Sequence, residues 1–221
     1  MPHALFSWQE DALTFLYNDD GPTRIKCCGM FRPQDIDAVN EALPDMVGFV
    51  VNVPRSHRSL TPRQVKDLAQ RVDDDIFEVG VFVDEPPATI AALADAGAIS
   101  IAQLHGHEDA DYIAELRKLT RIGIIQAFQV HGAADVEAAQ ESVAEMVLLD
   151  AGQGSGERFD WSLLRGFGRP YILAGGLTPA NVADAIARLH PWGVDLSSGL
   201  ETDKLKDPAQ IQAAVAAVKG A

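Results

Sequence analysis

The segment YILAGGLTPANVADAIARLHPWGVDLS, residues 171–197, contains one complete unit of a simple pattern. It begins with the apolar run YILA, continues with TPANVADAIARL, in which apolar residues recur every three or four positions, and ends with the run GVDLS. Short apolar runs predict strands, and the three- to four-residue spacing predicts an amphipathic helix. The segment therefore predicts a β-α-β unit with two parallel strands.

The same alternation extends over most of the chain. Helical spacing recurs between apolar runs in stretches such as PATIAALADAG and ADYIAELRKL. The predicted strands are RIKCCG (24–29), MVGFVV (46–51), EVGVFV (78–83), SIAQL (100–104), GIIQAF (123–128), MVLLD (146–150), YILA (171–174) and GVDLS (193–197). Strict alternation of strands and helices favours a parallel sheet with right-handed crossovers. Eight units in about 200 residues suit a closed (βα)8 TIM barrel at its compact limit.

An open doubly wound sheet is the alternative architecture, because eight strands alone do not exclude it. A dinucleotide-binding sheet of that kind carries G-x-G-x-x-G directly after its first strand. This chain has CCGMFR at that place. The position of the glycines therefore favours the barrel.

Composition predicts one globular domain without a membrane anchor. Of the 221 residues, 47% are hydrophobic and 23% are charged, which is enough apolar material for a full core. The chain has no uninterrupted apolar run of about 18 residues, and its first 23 residues are acidic rather than typical of a signal peptide. We therefore expect a cytoplasmic protein with a barrel domain at residues 24–221.

The residues before the first predicted strand, 1–23, form an N-terminal extension that we expect to be helical. Ser7 and Glu10 fit a capping box at the start of a helix, and Leu13, Leu16 and Tyr17 continue a helical stripe. The simplest role for such a helix is to close the bottom of the barrel.

The charge of the chain restricts its partners. Thirty-two acidic residues against eighteen basic ones give a formal net charge of −14. This balance argues against nucleic acid and against an anionic membrane as partners. A small anion remains possible, because backbone N–H groups and helix N-termini bind anions locally.

Two strand ends carry groups suited to proton transfer. The active site of such a barrel lies at the C-terminal ends of its strands, where Cys28 ends strand 1 and Asp150 ends strand 6 of the prediction. A thiolate can remove a carbon-bound proton, and a carboxylic acid can protonate a sugar oxygen. The simpler alternatives are an inert buried thiol and an aspartate that caps a turn. The two cysteines are adjacent and make a poor disulfide.

Two short glycine-bearing turns follow the last two predicted strands. They are LAGGLTPANV at 173–182 and DLSSGLE at 195–201. Barrels commonly bind a phosphate there, because glycine permits close approach to the backbone and a helix N-terminus follows. The pair predicts a phosphate site, whereas either turn alone is more typical of an ordinary connection.

Seven motifs in order resemble the phosphoribosylanthranilate isomerase family of tryptophan biosynthesis, over roughly residues 24–220. They are KCCG, GFVVNVPRSHRSLTP, VGVFVDE, QLHG, LLDAGQGSGERFDWSLL, LAGGLTPANV and GVDLSSGLE. The resemblance implies an isomerase with a (βα)8 barrel, without cofactor or metal, that acts on N-(5-phosphoribosyl)anthranilate through an acid–base Amadori rearrangement. It implies a small phosphosugar-anthranilate as the partner, and we expect a monomer or a homodimer.

The resemblance also implies roles for individual residues. It places the general base on Cys28, the general acid on Asp150 and the arginine that binds the anthranilate carboxylate on Arg58, for which a solvated loop arginine is the alternative. Cys27 replaces an aliphatic residue and should face the helices. The substrate-binding residues that it implies, phosphate turns included, are Gly175, Gly176, Ser197, Ser198, Gly199, Asp195 and His105.

Some features depart from the family pattern or suggest other sites. Gln126 stands where the family often has lysine, and His57 replaces a common proline. The segment AGQGSGER at 151–158 follows a strand and favours a mobile lid over a nucleotide site. HGHED at 105–109 contains a potential metal pair, but it lacks further ligands at suitable spacing.

Two other functions stay open at this stage. One is a histidine-pathway or dual-substrate aminoaldose isomerase, although that class carries an aspartate where Cys28 stands. The other is a catalytically silent barrel that binds a ligand, against which the presence of both Cys28 and Asp150 counts.

Strand alternation makes a structural prediction. If Cys28 points into the barrel, Lys26 two residues earlier must do so as well. A buried ammonium is costly unless it is paired. Closure of the barrel places the last strand beside the first, so we expect Lys26 to pair with Asp195 and to favour the thiolate of Cys28. The alternative is that Lys26 extends to the lower rim.

Overall fold

The computed structural model describes residues 3–150, 161–164 and 166–221. The helices in that part of the chain are α1 His3–Tyr17, α2 Pro33–Ala42, α3 Pro62–Ala69, α4 Pro87–Asp95, α5 Ala110–Leu119, α6 Ala133–Gln140, α7 Val182–Leu189 and α8 Pro208–Lys219. The strands are β1 Arg24–Cys28, β2 Met46–Val51, β3 Ser59–Leu60, β4 Phe77–Phe82, β5 Ile101–Leu104, β6 Gly123–Gln129, β7 Met146–Asp150, β8 Tyr171–Ala174, β9 Gly193–Leu196, β10 Glu201–Thr202 and β11 Leu205–Lys206. Two short 3-10 helices, Trp161–Leu164 and Ser198–Leu200, complete the elements.

The main sheet closes into a parallel barrel of eight strands, β1, β2 and β4 to β9. Each strand pairs in parallel with its neighbour, and β1 pairs with both β9 and β2, which closes the ring. The predicted (βα)8 fold is therefore confirmed, and each of the eight predicted strands lies within about one residue of an observed one.

Alternation along the strands separates two apolar clusters. One lies between the sheet and the surrounding helices and contains Cys27, Val47 and Leu149. The other fills the lower interior of the barrel and contains Met46, Ile125 and others. Successive side chains of a strand point to opposite faces, so β2 and β4 to β8 contribute to both clusters, whereas β1 and β9 place the charged residues Lys26 and Asp195 inside the barrel.

Helix α1 closes the lower end of the barrel. Ala12 and Leu16 are buried in the interior cluster, and Leu16 occupies the space that a side chain at Gly123 would need. The predicted capping box is wrong, because α1 begins at His3, four residues before Ser7. The helix formers Ala4 and Leu5 precede Ser7 without any breaker, so the helix extends through it.

Two small elements were not predicted. The short strand β3 pairs with β2, and the antiparallel hairpin β10–β11 follows the second 3-10 helix. The predicted lid at 151–158 lies outside the described residues. None of the helices in the described ranges is long and apolar enough to cross a membrane.

Candidate active site

A cavity of about 290 Å³ opens at the C-terminal ends of the barrel strands. Its polar walls come from the ends of several strands and from the loops after β8 and β9. The lining residues that the sequence had singled out are Cys28, His105, Asp150, Gly175, Gly176, Asp195, Ser197 and Ser198. The structure thus brings the candidate base, the candidate acid and both candidate phosphate turns to one cavity.

Cys28 lies at the wall of this cavity as the last residue of β1. Its side chain is buried, and its backbone carbonyl accepts a hydrogen bond from the Ser197 hydroxyl. Cys27, its neighbour, belongs to the cluster between sheet and helices, where burial raises the pKa of its thiol to about 12. The adjacent cysteines therefore face opposite sides of the sheet, as predicted, and both are free thiols.

A buried ion pair lies directly beneath Cys28. The Lys26 ammonium is fully buried and donates to Asp195 Oδ1 at 3.0 Å, across the seam where β1 meets β9. The Lys26 ammonium and the Cys28 thiol both lie beside Gly48. The predicted pairing of Lys26 with Asp195 is confirmed.

The charges around Cys28 act on its pKa in opposite directions. Burial and the Asp195 carboxylate raise the pKa of the thiol, whereas the positive charge of Lys26 lowers it. The net shift is upward, so the lysine favours the thiolate as expected but does not outweigh burial in the ligand-free protein. The pKa of Lys26 is also raised, because Asp195 and Cys28 outweigh the effect of its burial.

Gly48 on β2 provides the space that this group occupies. A β-carbon at position 48 would lie 2.8 Å from Cys28 Sγ and 3.1 Å from Lys26 Nζ. The first distance is shorter than real β-carbon contacts and the second is tighter than most, so any larger residue at position 48 would require Cys28 or Lys26 to move. The sequence analysis missed this residue, since its importance depends on the pairing of Cys28 with Gly48 across β1 and β2.

Asp150 lies on the other side of the cavity at the end of β7. Its carboxylate is partly exposed, and Oδ2 lies 3.4 Å from Nε2 of His105, which follows β5. An acid that reaches a cavity while it contacts an imidazole can donate a proton to a ligand oxygen. His105 in turn contacts Gln103, a buried residue that the sequence analysis quoted within QLHG but did not single out.

The two glycine-bearing turns lie side by side. Gly175 and Gly176 have positive φ angles of 95° and 65°, and both line the cavity. Gly199 is not among the lining residues, and a β-carbon there would lie 2.0 Å from the carbonyl oxygen of Leu177. Gly199 therefore lets the second turn pack against the first.

Arg58 occupies a position at the rim that the sequence did not predict. Its guanidinium forms two hydrogen bonds with the Glu201 carboxylate, one of them 2.8 Å long, and it is not among the residues that line the cavity. Lys206 lies 3.0 Å from the same carboxylate and also donates to the Ser197 carbonyl. Burial opposes ionisation of Glu201, but the hydrogen bonds from Arg58 and Lys206 lower its pKa to about 2.

The potential metal pair in HGHED has other contacts. His107 is exposed and pairs with Asp84, while the Glu108 carboxylate accepts hydrogen bonds from the backbone N–H groups of Asp84 and Gly106. These contacts hold the loops after β4 and β5 together. Within residues 3–150, 161–164 and 166–221, no cluster of three or more His, Cys, Asp or Glu could hold a metal ion.

Comparison with known proteins gives a consistent result. The family model for N-(5'-phosphoribosyl)anthranilate isomerase matches residues 25–217. A protein of that name from Endomicrobium trichonymphae is 39% identical over 190 residues, which are 83% of this chain and 92% of the relative.

Solved structures agree with that match. The phosphoribosylanthranilate isomerase of Thermotoga maritima has a TM-score of 0.81 at 35% identity, and the alignment covers 90% of this chain and all of that one. An isomerase structure in complex with reduced 1-(o-carboxyphenylamino)-1-deoxyribulose 5-phosphate has a TM-score of 0.79 at 34% identity, with the same coverage.

Proposed function

Because this chain belongs to the N-(5'-phosphoribosyl)anthranilate isomerase family, we propose that Asp150 and Cys28 are the acid and the base of that reaction. The chain is an isomerase of tryptophan biosynthesis, which converts N-(5'-phosphoribosyl)anthranilate to 1-(2-carboxyphenylamino)-1-deoxyribulose 5-phosphate. The single observation that carries the assignment of roles is that a buried thiol and a partly exposed carboxylate line one cavity, next to two glycine-bearing turns.

The proposed reaction begins with acid catalysis. Asp150 donates a proton to the furanose ring oxygen, and the C1′–O bond breaks as the lone pair of the anthranilate nitrogen forms an iminium. Asp150 is partly exposed to the cavity, which suits direct contact with a ligand oxygen. Proton transfer of this kind typically contributes about 10²- to 10⁴-fold to the rate.

Base catalysis follows. The Cys28 thiolate takes the proton from C2′, and the electron pair of that C–H bond forms the C1′–C2′ double bond while the iminium nitrogen becomes neutral. The resulting enolamine tautomerises to the ketone product. The positive charge of the iminium would lie close to Cys28 and adds to that of Lys26 in favouring the thiolate.

Binding at the two ends of the substrate would hold the reacting carbons between these groups. The turns at Gly175, Gly176, Ser197 and Ser198 line the cavity on one side and suit a phosphate, since their backbone N–H groups are accessible without large side chains. Gly199 supports the second turn, as described above. Arg58 is at the rim and would bind the anthranilate carboxylate, in competition with Glu201.

Turnover of the purified chain tests the proposal. Phosphoribosylanthranilate is fluorescent as an anthranilate, so we expect its fluorescence to fall on addition of the protein. Asp150→Asn, which keeps the shape of the side chain but cannot act as an acid, should lose most of this activity. Full activity in Asp150→Asn would overturn the assigned role. The cytoplasmic location and the monomeric or homodimeric state expected from the sequence stay predictions.

A further inference from the structure

Gln103 and His105 form a connected pair at the end of β5, beside Asp150. The two residues alternate along the chain with Leu104, which belongs to the outer apolar cluster, so both point to the barrel interior. Both line the same cavity as Asp150. Gln103 is almost fully buried, at 1% exposure, so its amide belongs to the cavity wall rather than to solvent.

The contacts of the imidazole define which of its nitrogens carries the proton. Gln103 Nε2 lies 3.0 Å from His105 Nδ1, and an amide nitrogen can only donate. With the amide nitrogen placed against the ring, Nδ1 is the acceptor and the hydrogen of the neutral ring is on Nε2. That nitrogen is the one that lies 3.4 Å from Asp150 Oδ2.

The other end of the Gln103 amide has no such contact. Its Oε1 is buried and has no hydrogen-bond partner among the described residues. An unmade hydrogen bond of this kind costs about 1 to 3 kcal/mol. An apolar residue at position 103 would avoid that cost, and the contact of the amide nitrogen with His105 offsets part of it.

From these contacts we propose that Gln103 and His105 are positioning residues for the acid Asp150. Gln103 holds His105 as the Nε2–H tautomer. His105 donates from Nε2 to Asp150, orients its carboxyl group and stabilises the carboxylate that remains once the proton has passed to the ring oxygen of the substrate. The proposal deepens the function given above and rests on it, since it assigns these residues to the acid step. It adds to the expectation that His105 contacts the substrate.

The tautomer can be measured without any activity. We expect the ¹⁵N NMR signals of His105 in the ligand-free wild-type protein to show a protonated Nε2 and an unprotonated Nδ1. In Gln103→Met, which keeps the length of the side chain but removes the donor, we expect the two tautomers to become mixed. A protonated Nδ1 in the wild-type protein would overturn the proposal, whatever the protein catalyses.

Steady-state kinetics test the consequence for the acid step. His105→Ala should lower kcat about 10- to 100-fold, the effect typical of one lost hydrogen bond to a charged group, and should change KM much less. His105→Gln should recover much of kcat, because its amide nitrogen can donate from nearly the same place as Nε2. A loss confined to KM in His105→Ala, or wild-type kcat, would overturn the positioning role.

A matched control separates this result from a general effect of histidine removal. His107, two residues further, is exposed and pairs with Asp84 away from the cavity, so His107→Gln should retain wild-type kcat and KM. Inactivity of the wild-type protein would contradict the proposed function itself and would leave the NMR result to decide on the contact. The two proposals therefore fail in distinguishable ways.

Discussion

The upper and lower halves of the barrel interior are built by the same strands but contain opposite chemistry. The lower half contains apolar side chains such as Met46, Ile101 and Trp192, with Leu16 of α1 packed against them. The upper half contains Lys26, Cys28, Asp150 and other polar groups around a cavity. The difference indicates that variants of the apolar lower layer should leave turnover largely unchanged, and that variants of the proposed catalytic groups should leave stability largely unchanged. The buried ion pair of Lys26 and Asp195 is the exception, since it contributes to both.

The largest expected effect is the loss of the base. Cys28→Ser should lower kcat/KM by about 10²- to 10⁴-fold, because a hydroxyl is a far weaker base than a thiolate. The free energy of unfolding should change little, since the two side chains differ by one atom. Denaturant unfolding and the fluorescence assay measure the two quantities. Wild-type turnover in Cys28→Ser would remove Cys28 from the mechanism.

Charge changes beneath Cys28 should move the pH dependence in opposite directions. The thiolate is the active form and the pKa of the thiol is raised, so kcat/KM of the wild-type protein should rise with pH up to that pKa. Lys26→Met removes the stabilising cation and should shift this rise of kcat/KM, the ascending limb of the pH profile, to higher pH. Asp195→Asn removes the carboxylate that raises the pKa and should move it to lower pH.

Stability provides the control for that experiment. Either single variant breaks a buried ion pair, which typically costs about 3 to 5 kcal/mol, whereas the double variant Lys26→Met/Asp195→Asn leaves no unpaired charge and should be more stable than either. Shifts of the limb in the same direction for the two single variants would contradict the electrostatic explanation.

In the lower half, the effect should be on stability alone. Leu16→Ala removes a buried side chain that closes the barrel, so we expect the free energy of unfolding in urea to fall by about 2 to 5 kcal/mol. At urea concentrations below the unfolding transition, kcat/KM of Leu16→Ala should remain that of the wild type. Thr14→Ala on the exposed face of the same helix is the control, with an expected change within about 0.5 kcal/mol. A marked loss of kcat/KM in folded Leu16→Ala would show that the two layers are coupled.

Much of this division could be predicted from the sequence, because it follows from alternation and closure. The eight apolar runs predicted the strands, and the spacing of Lys26 and Cys28, together with the pairing of the first and last strands, predicted the contact with Asp195. The contact of Arg58 with Glu201 could not be predicted in this way. It joins the loop between β2 and β3 to the first residue of the short strand β10, and the direction of a loop depends on turns that carry no period.

Other features depend on contacts that local sequence patterns do not contain. Gly48 is needed because Cys28 Sγ and Lys26 Nζ occupy the space beside it, which requires the register of β1 and β2. The start of α1 was predicted too late, because Ser7 and Glu10 fit a capping box although helix formers precede them. Local signals thus identify elements well, whereas tertiary packing decides their ends and their partners.

At the rim of the upper half, Arg58 should affect recognition of the carboxylate. Arg58→Ala should lower kcat/KM, mostly by raising KM. The loss should correspond to about 1 to 3 kcal/mol of transition-state stabilisation. The loss of kcat/KM in Arg58→Ala should be smaller for a phosphoribosylaniline substrate, which lacks the carboxylate. Glu201→Gln weakens the same ion pair but keeps the guanidinium, so it should not raise KM. Equal effects of the two variants on both substrates would assign Arg58 a structural role only.

The smallest expected effect belongs to Cys27, the residue next to the proposed base. Cys27 is fully buried among apolar side chains on the outer face of the sheet, and its pKa of about 12 keeps it a neutral thiol at ordinary pH. Cys27→Val replaces one small apolar group by another of similar volume, so we expect a change below about 1.5 kcal/mol in the free energy of unfolding and unchanged kcat/KM. A thiol-directed reagent that inactivates the wild-type protein should also inactivate Cys27→Val, and bound product should protect both proteins. Loss of turnover in folded Cys27→Val would mean that the sheet transmits packing changes on its outer face to the cavity, so that adjacent residues on opposite faces could no longer be assigned separate roles.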